Sequence, residues 1–235
     1  MAIAPYITPD TLRRTAALAA PIMLVFSMYG CFRAFNRRWH APLGYLFSFI
    51  VYWVFWCLLF PFLLLGGIRP ILGLFQPFPP FIDLTWQTQI LLWWPVIFPL
   101  FFVFINRIRR ANGKILLVSI LLGIIIGLTE EILWRGVYTR IFPNNIWLNL
   151  VYPSLMFALW HLAPLSITPN RMPGGRLSFI VYAFLLGVTY TITVYQTGSI
   201  AWCTISHIAH DTLGLGGFAY ANWLVQPAKK PHINL

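Results

Sequence analysis

Long uninterrupted apolar runs constrain this chain more than any other feature of its sequence. Stretches of 18 or more mostly apolar residues recur along its 235 residues, and its mean hydropathy is +0.75. A helix of that length crosses the hydrocarbon core of a bilayer. Because the runs are continuous and do not alternate with polar residues, they indicate helices rather than strands. The predicted fold is therefore an all-α, polytopic membrane protein with about seven transmembrane helices.

Short gaps rich in basic residues, proline or glycine separate the predicted helices. The gap 67–86 holds four prolines and the gap 164–176 holds three prolines and two glycines, so both are predicted to be loops. The predicted segments are about 12–32, 43–66, 87–105, 115–142, 146–163, 177–196 and 199–222.

The charge is strongly positive, with 16 basic residues against 5 acidic ones and a formal net charge of +11. Most of the basic residues lie between apolar runs, where they anchor helices and set their orientation. They indicate contact with anionic lipid, and we expect no nucleic-acid partner. Their distribution predicts a cytoplasmic C-terminus and an outside N-terminus. The expected location is the plasma membrane of a prokaryote, and an organellar role is also open. The three cysteines lie in apolar sequence, which predicts ordinary packing.

Three of the five acidic residues lie deep in apolar sequence, close to three of the five histidines. An ionisable group near the bilayer centre costs about 2.5–3.5 kcal/mol, so such a cluster is expected to have a function. The residues concerned are Glu130 and Glu131 in the fourth segment, His161 in the fifth, and His207, His210 and Asp211 in the seventh.

Helical spacing relates several of these residues. Glu131 and Arg135 are four residues apart, which favours an ion pair and leaves Glu130 with no cation of its own nearby. A purely structural interpretation is also open: an ion pair, a hydrogen-bonded core histidine at 161, and a local bond between His207 and Asp211. Two glycines just before Glu130, at positions 123 and 127, are expected to let another helix approach closely.

Estimated depths favour one shared site. With a rise of 1.5 Å per residue, Glu131 lies about 17 Å before the turn near 142–146 and His161 about 22 Å after it. By the same rise, His207 lies about 12 Å into the seventh segment from that membrane face. The groups can therefore meet at a similar level on three helices.

Two kinds of chemistry suit such a site. A glutamate in a low-dielectric cavity can act as a general base on water. Alternatively, zinc could be held, with Glu130, His161 and His207 as candidate ligands. Either arrangement predicts hydrolysis inside the membrane. A non-catalytic binding, immunity or scaffold protein is the main alternative, and an ion-coupled transporter is less favoured because the polar groups do not form a path across the bilayer.

The spacing of these residues resembles that of a known family. Glu-Glu-x-x-x-Arg, Phe-x-x-x-His and His-x-x-x-Asp are similar to the three motifs of the CAAX-protease and bacteriocin-processing family (CPBP or Abi), which are intramembrane proteases. The resemblance covers about residues 115–215. It implies a catalytic core of four helices over 115–222, preceded by N-terminal transmembrane helices over 1–114 and followed by a short basic tail over 223–235.

The resemblance also implies roles for individual residues. Glu130 and His161 would activate the attacking water, while His207 and Asp211 would stabilise the oxyanion. Glu131 is counted with these four as catalytic, and the expected substrate is a peptide or a membrane-tethered polypeptide. Orienting roles are expected for Arg135, Phe157 and His210.

Asp211 departs from the family pattern, in which asparagine is common at this position. An asparagine can donate a hydrogen bond to an oxyanion, whereas an ionised aspartate cannot. Asp211 would therefore have to be protonated, orient His207, or bind a metal.

Overall fold

The computed structural model describes residues 8–39, 41–111, 113–167 and 174–214. These residues are almost entirely helical, and no strand occurs among them, which confirms the predicted all-α class. Six helices are long and apolar enough to cross a membrane. They are α1 (Pro9–Arg38), α2 (Leu43–Leu65), α3 (Trp86–Arg107), α4 (Gly113–Ile141), α5 (Trp147–Leu165) and α6 (Gly175–Thr197).

The seventh predicted segment is a shorter helix, α7 (Ala201–Leu213), of 13 residues. Its predicted end at 222 and the predicted basic tail over 223–235 lie outside the described residues. The gap 67–86 is less irregular than predicted, because it contains a helix over Ile68–Gly73 and a 3-10 turn over Phe81–Asp83. The middle of the other predicted loop, residues 168–173, also lies outside the described part of the chain.

Local sequence explains where several helices begin and end. The Thr8 and Thr85 hydroxyls accept hydrogen bonds from backbone amides three residues later, which caps the first turns of α1 and α3. Gly66 and Gly198 follow α2 and α6 with φ of 88° and 76°, a conformation that glycine adopts without steric cost. π-helical turns interrupt several spans, including Ile132–Val137 directly after the paired glutamates. Such turns are frequent at functional sites.

Helices α4 and α7 pack very closely at the two glycines of α4. A β-carbon at Gly127 would lie 2.7 Å from the Ile208 backbone nitrogen, and one at Gly123 would lie 2.4 Å from the Thr212 hydroxyl. The predicted close approach of another helix is therefore confirmed, and α7 is that helix. This contact brings the end of α4, with its glutamates, against the histidines of α7.

The N-terminal helices pack against the later ones rather than standing apart. The Tyr138 hydroxyl donates to the Ala17 carbonyl of α1 at 2.8 Å, and the Tyr152 hydroxyl donates to the carbonyl of Leu18. The Tyr52 ring of α2 stacks on the Trp160 ring of α5, with centroids 3.7 Å apart and an interplanar angle of 13°.

The proline-rich segment between α2 and α3 docks on the start of α7. The Ile200 amide donates to the Leu74 carbonyl at 2.9 Å, and the Trp202 indole donates to the Pro79 carbonyl at 2.9 Å. The Trp202 ring also contacts Phe78, with centroids 5.0 Å apart. These contacts fix the end of α7 that lies before Cys203 and the histidines.

Candidate active site

A cavity of about 370 Å³ lies among helices α2, α4, α5, α6 and α7. Most of its wall is apolar and aromatic. The structure brings five of the predicted site residues to this one cavity, as the depth estimate indicated. They are Glu130, His161, His207, His210 and Asp211.

Glu131 lies behind this cavity and does not line it. It is fully buried, with Oε1 at 3.0 Å from Arg135 Nη1 and 2.7 Å from His207 Nδ1. Because a carboxylate accepts hydrogen bonds, the His207 Nδ1–H donates. The predicted ion pair with Arg135 is present, and Glu131 holds the His207 ring from the side away from the cavity.

Arg135 is as deeply buried as its partner, with 1% of its side chain exposed. Its guanidinium carbon lies 4.4 Å from the centre of the Phe157 ring and 5.3 Å from that of Tyr190, which are cation–π contacts. The Phe157 ring also meets the His161 ring edge-on at 5.0 Å. Phe157 therefore lies between the buried cation and a cavity histidine, and its orienting role stays a prediction.

The tautomer of His161 follows from its backbone contact. His161 Nδ1 lies 2.8 Å from the carbonyl oxygen of Phe157, one helical turn earlier. A carbonyl can only accept, so Nδ1 carries the proton and Nε2 of the neutral ring keeps the lone pair. A nitrogen with a free lone pair is the form that can orient or deprotonate water.

His207 lies at the centre of the acidic groups. Its Nε2 is 3.8 Å from Glu130 Oε2 and 3.6 Å from Asp211 Oδ2, while its other ring nitrogen is bonded to Glu131. These two separations exceed hydrogen-bond length but keep the groups in strong electrostatic contact. The Tyr190 ring stacks on the imidazole at 5.1 Å and fixes its plane.

His210 also lines the cavity, but its shortest hydrogen bond is to α3. Its Nδ1 lies 2.7 Å from the Pro95 carbonyl of α3 and 3.4 Å from the Tyr182 hydroxyl of α6. Its Nε2 lies 3.9 Å from Asp211 Oδ1. The contact with Pro95 links α7 to α3, and the orienting role of His210 stays a prediction.

Sequence reasoning missed two contacts with the glutamates. Cys203 packs in the apolar core as predicted, but its thiol also donates to Glu131 Oε2 at 3.2 Å. Its spacing of four residues from His207 was a usable signal. Tyr52, from α2, accepts a hydrogen bond from the Trp134 indole at 2.9 Å, and its hydroxyl neighbours the Glu130 carboxyl. No pattern in the sequence indicates that contact.

The arrangement does not offer a ready metal site. Within the described ranges, no group of three or more His, Cys, Asp or Glu side chains is placed to hold one ion. Zinc therefore stays a prediction.

Comparison with known proteins identifies the segment that carries this site. No curated protein and no solved structure matches the chain. Residues 112–213 match a family model described as Rce1-like, type II CAAX prenyl endopeptidase. The matched part is less than half of the chain, but it contains all three motifs and every predicted site residue. Over residues 112–213, this membrane protein is therefore similar to the type II CAAX prenyl endopeptidases, which agrees with the resemblance that its motifs predicted.

Proposed function

We propose that this protein is an intramembrane endopeptidase of the CAAX-protease type, which hydrolyses a peptide bond in a peptide or membrane-tethered polypeptide. The observation that carries the proposal is the gathering of five ionisable residues at one largely apolar cavity. Placing so many polar groups there is costly, and Glu130 is not held by the nearby arginine, because Arg135 pairs with Glu131. The match to a family of endopeptidases supports the same conclusion.

The proposed reaction begins with a water molecule between Glu130 and His161. The Glu130 carboxylate takes a proton from this water while the lone pair on His161 Nε2 orients it. The hydroxide attacks the carbonyl carbon of the scissile bond and forms a tetrahedral oxyanion. Glu130 then passes its proton to the leaving nitrogen as the C–N bond breaks, which yields a carboxylic acid and an amine.

Stabilisation of the oxyanion falls to the residues of α7. A His207 ring that carries protons on both nitrogens can donate Nδ1–H to Glu131 and Nε2–H to the oxyanion. Glu131 and Arg135 hold the ring in place for this purpose. Asp211 contributes a second donor when its carboxyl group is protonated. In that form its O–H does what the amide N–H of asparagine does where the family has asparagine.

We also propose a membrane orientation and a location. The C-terminus would face the cytoplasm of a prokaryotic cell, with the protein in the plasma membrane. The exposed basic residues Arg37, Arg38, Arg107 and Lys114 support this orientation, because they lie at the end of α1, the end of α3 and the start of α4, which it places on the same side of the membrane. Anionic lipids are the partners that these residues favour.

Cleavage of a defined lipopeptide tests the proposed function. The purified protein, reconstituted in liposomes, should cut a prenylated peptide that ends in a CAAX sequence, and mass spectrometry should identify a single broken bond. His161→Ala should lower kcat about 10²–10⁴-fold, the usual contribution of a general acid–base partner. Leu155→Ala, on an exposed face of the same helix, should leave kcat unchanged. Turnover by His161→Ala at the wild-type rate would contradict the proposal, and specific binding with no cleavage by the wild type would favour the non-catalytic alternative.

A pair of substitutions at Asp211 separates its possible roles. Asp211→Asn should keep kcat within about tenfold of the wild type, because the amide donates to the oxyanion without needing an added proton. Asp211→Leu should lower kcat about 10²–10³-fold, the usual effect of removing one oxyanion donor. Both are measured in the same liposome assay. If Asp211→Asn is as impaired as Asp211→Leu, the site needs a carboxylate, and the oxyanion role is wrong.

A further inference from the structure

A carbonyl group that α3 leaves without a helical partner fixes the ring of His210. In a regular helix the Pro95 carbonyl would accept from the amide of residue 99, but that residue is proline and has no N–H. The next amide, that of Leu100, donates to the Val96 and Ile97 carbonyls. The His210 Nδ1–H supplies the missing donor at 2.7 Å.

This contact decides which nitrogen of His210 is available to a ligand. Because Nδ1 carries the proton that Pro95 accepts, Nε2 of the neutral ring is an acceptor. The Tyr182 ring lies against the imidazole, with centroids 5.7 Å apart, and restricts its rotation. Both His210 and Tyr182 line the cavity, so the acceptor belongs to its wall.

A second acceptor lies beside the first. Asp211 Oδ1 is 3.9 Å from His210 Nε2, whereas Asp211 Oδ2 is the oxygen nearest His207. One carboxyl oxygen can therefore serve the oxyanion while the other remains an acceptor, even when the group is protonated. A nitrogen placed about 2.9 Å from both Nε2 and Oδ1 would share one N–H between them in a three-centre bond.

We propose that His210 and Asp211 Oδ1 form a substrate-binding subsite that accepts a backbone N–H of the bound peptide next to the scissile bond. The inference rests on the proposed function, because a polypeptide is the ligand that brings such donors into an otherwise apolar cavity. His210 lies outside the three motifs, and the α3 carbonyl that orients it lies outside residues 112–213. The subsite therefore needs both halves of the chain.

The test measures binding, so that it does not depend on cleavage. The protein carries Glu130→Gln to leave the peptide intact, and the probe is a fluorescent prenylated CAAX peptide, titrated in lipid nanodiscs. His210→Asn should raise Kd about tenfold, because the asparagine amide nitrogen can still donate to Pro95 while its one acceptor, Oδ1, does not reach the position of Nε2. Its thermal midpoint should match that of its parent, since the contact with α3 is kept.

A series of depsipeptides identifies the hydrogen bond itself. Each replaces one amide N–H near the scissile bond with an ester oxygen. One depsipeptide should bind the Glu130→Gln protein with a Kd about tenfold higher than that of the peptide. Adding His210→Asn to that protein should not raise the Kd of this depsipeptide further. An unchanged Kd for His210→Asn, an equal loss for every depsipeptide, or no binding of the peptide at all would each overturn the inference. If binding behaves as expected and the wild type cleaves nothing, only the proposed function fails.

Discussion

Replacing Glu130 with glutamine should lower the rate of peptide cleavage about 10²–10⁴-fold while leaving the fold intact. The substitution keeps the size and hydrogen-bonding shape of the side chain but removes its capacity to take a proton from water. Glu130 is 2% exposed, lines the cavity, and has Oε2 at 3.8 Å from His207 Nε2, so glutamine can take its place without opening new space. The measurement is kcat for the prenylated peptide in liposomes, with the thermal midpoint as a check on folding.

A matched control uses an acid far from the cavity. Asp83→Asn makes the same change from carboxylate to amide at an exposed position in the segment before α3, and it should leave kcat unchanged. If Glu130→Gln keeps more than about a tenth of the wild-type kcat, Glu130 is not the general base. The Glu130 carboxyl would then only bind the substrate, and another group would have to activate the water.

Replacing Arg135 with methionine should lower the free energy of unfolding by about 3–5 kcal/mol. The substitution fills similar space but leaves the Glu131 carboxylate buried without its cation, at a position where neither side chain exceeds 1% exposure. The loss follows mainly from that uncompensated charge, because a buried carboxylate is costly without a partner. Unfolding is measured by titration with denaturing detergent in mixed micelles, and a lower yield of folded protein is expected.

The chain contains a second pair with the same spacing that serves as the control. Arg14 and Asp10 are also four residues apart and lie 2.8 Å from each other, but their side chains are 53% and 70% exposed. Arg14→Met should therefore change the free energy of unfolding by no more than about 1 kcal/mol. The double variant Glu131→Gln/Arg135→Met should unfold less readily than Arg135→Met alone, because it removes the unpaired charge. Equal stabilities for Arg135→Met and Arg14→Met would show that burial does not make the inner pair important.

The sequence allowed much of the membrane topology to be predicted, because apolar length is a property of each segment by itself. It also allowed the Glu131–Arg135 pair and the joint site on three helices to be predicted, since spacing of four residues and rise per residue are rules within a helix. The sequence did not reveal which of the two adjacent glutamates lines the cavity. Neighbouring residues point about 100° apart on a helix, and only the position of α7 decides that Glu130 lines the cavity while Glu131 lies behind it.

Rules for spacing and rise within one helix do not predict contacts between helices that are far apart in the sequence. Tyr52 reaches Glu130 across 78 positions of the sequence, and Pro95 reaches His210 across 115. Nothing in local spacing relates these residues, because their contacts depend on how the helices pack. Cys203 is different: it shares a helix face with His207 and Asp211, so its position beside the buried carboxylate could have been read from the same spacing.

Because the proline-rich segment packs on the start of α7, residues 112–213 depend on contacts with the part of the chain that precedes them. The Ile200 amide and the Trp202 indole depend on the carbonyls of Leu74 and Pro79, which precede the matched segment. Any chimera that joins residues 112–213 to foreign N-terminal helices would therefore leave buried donors at the base of α7 without acceptors.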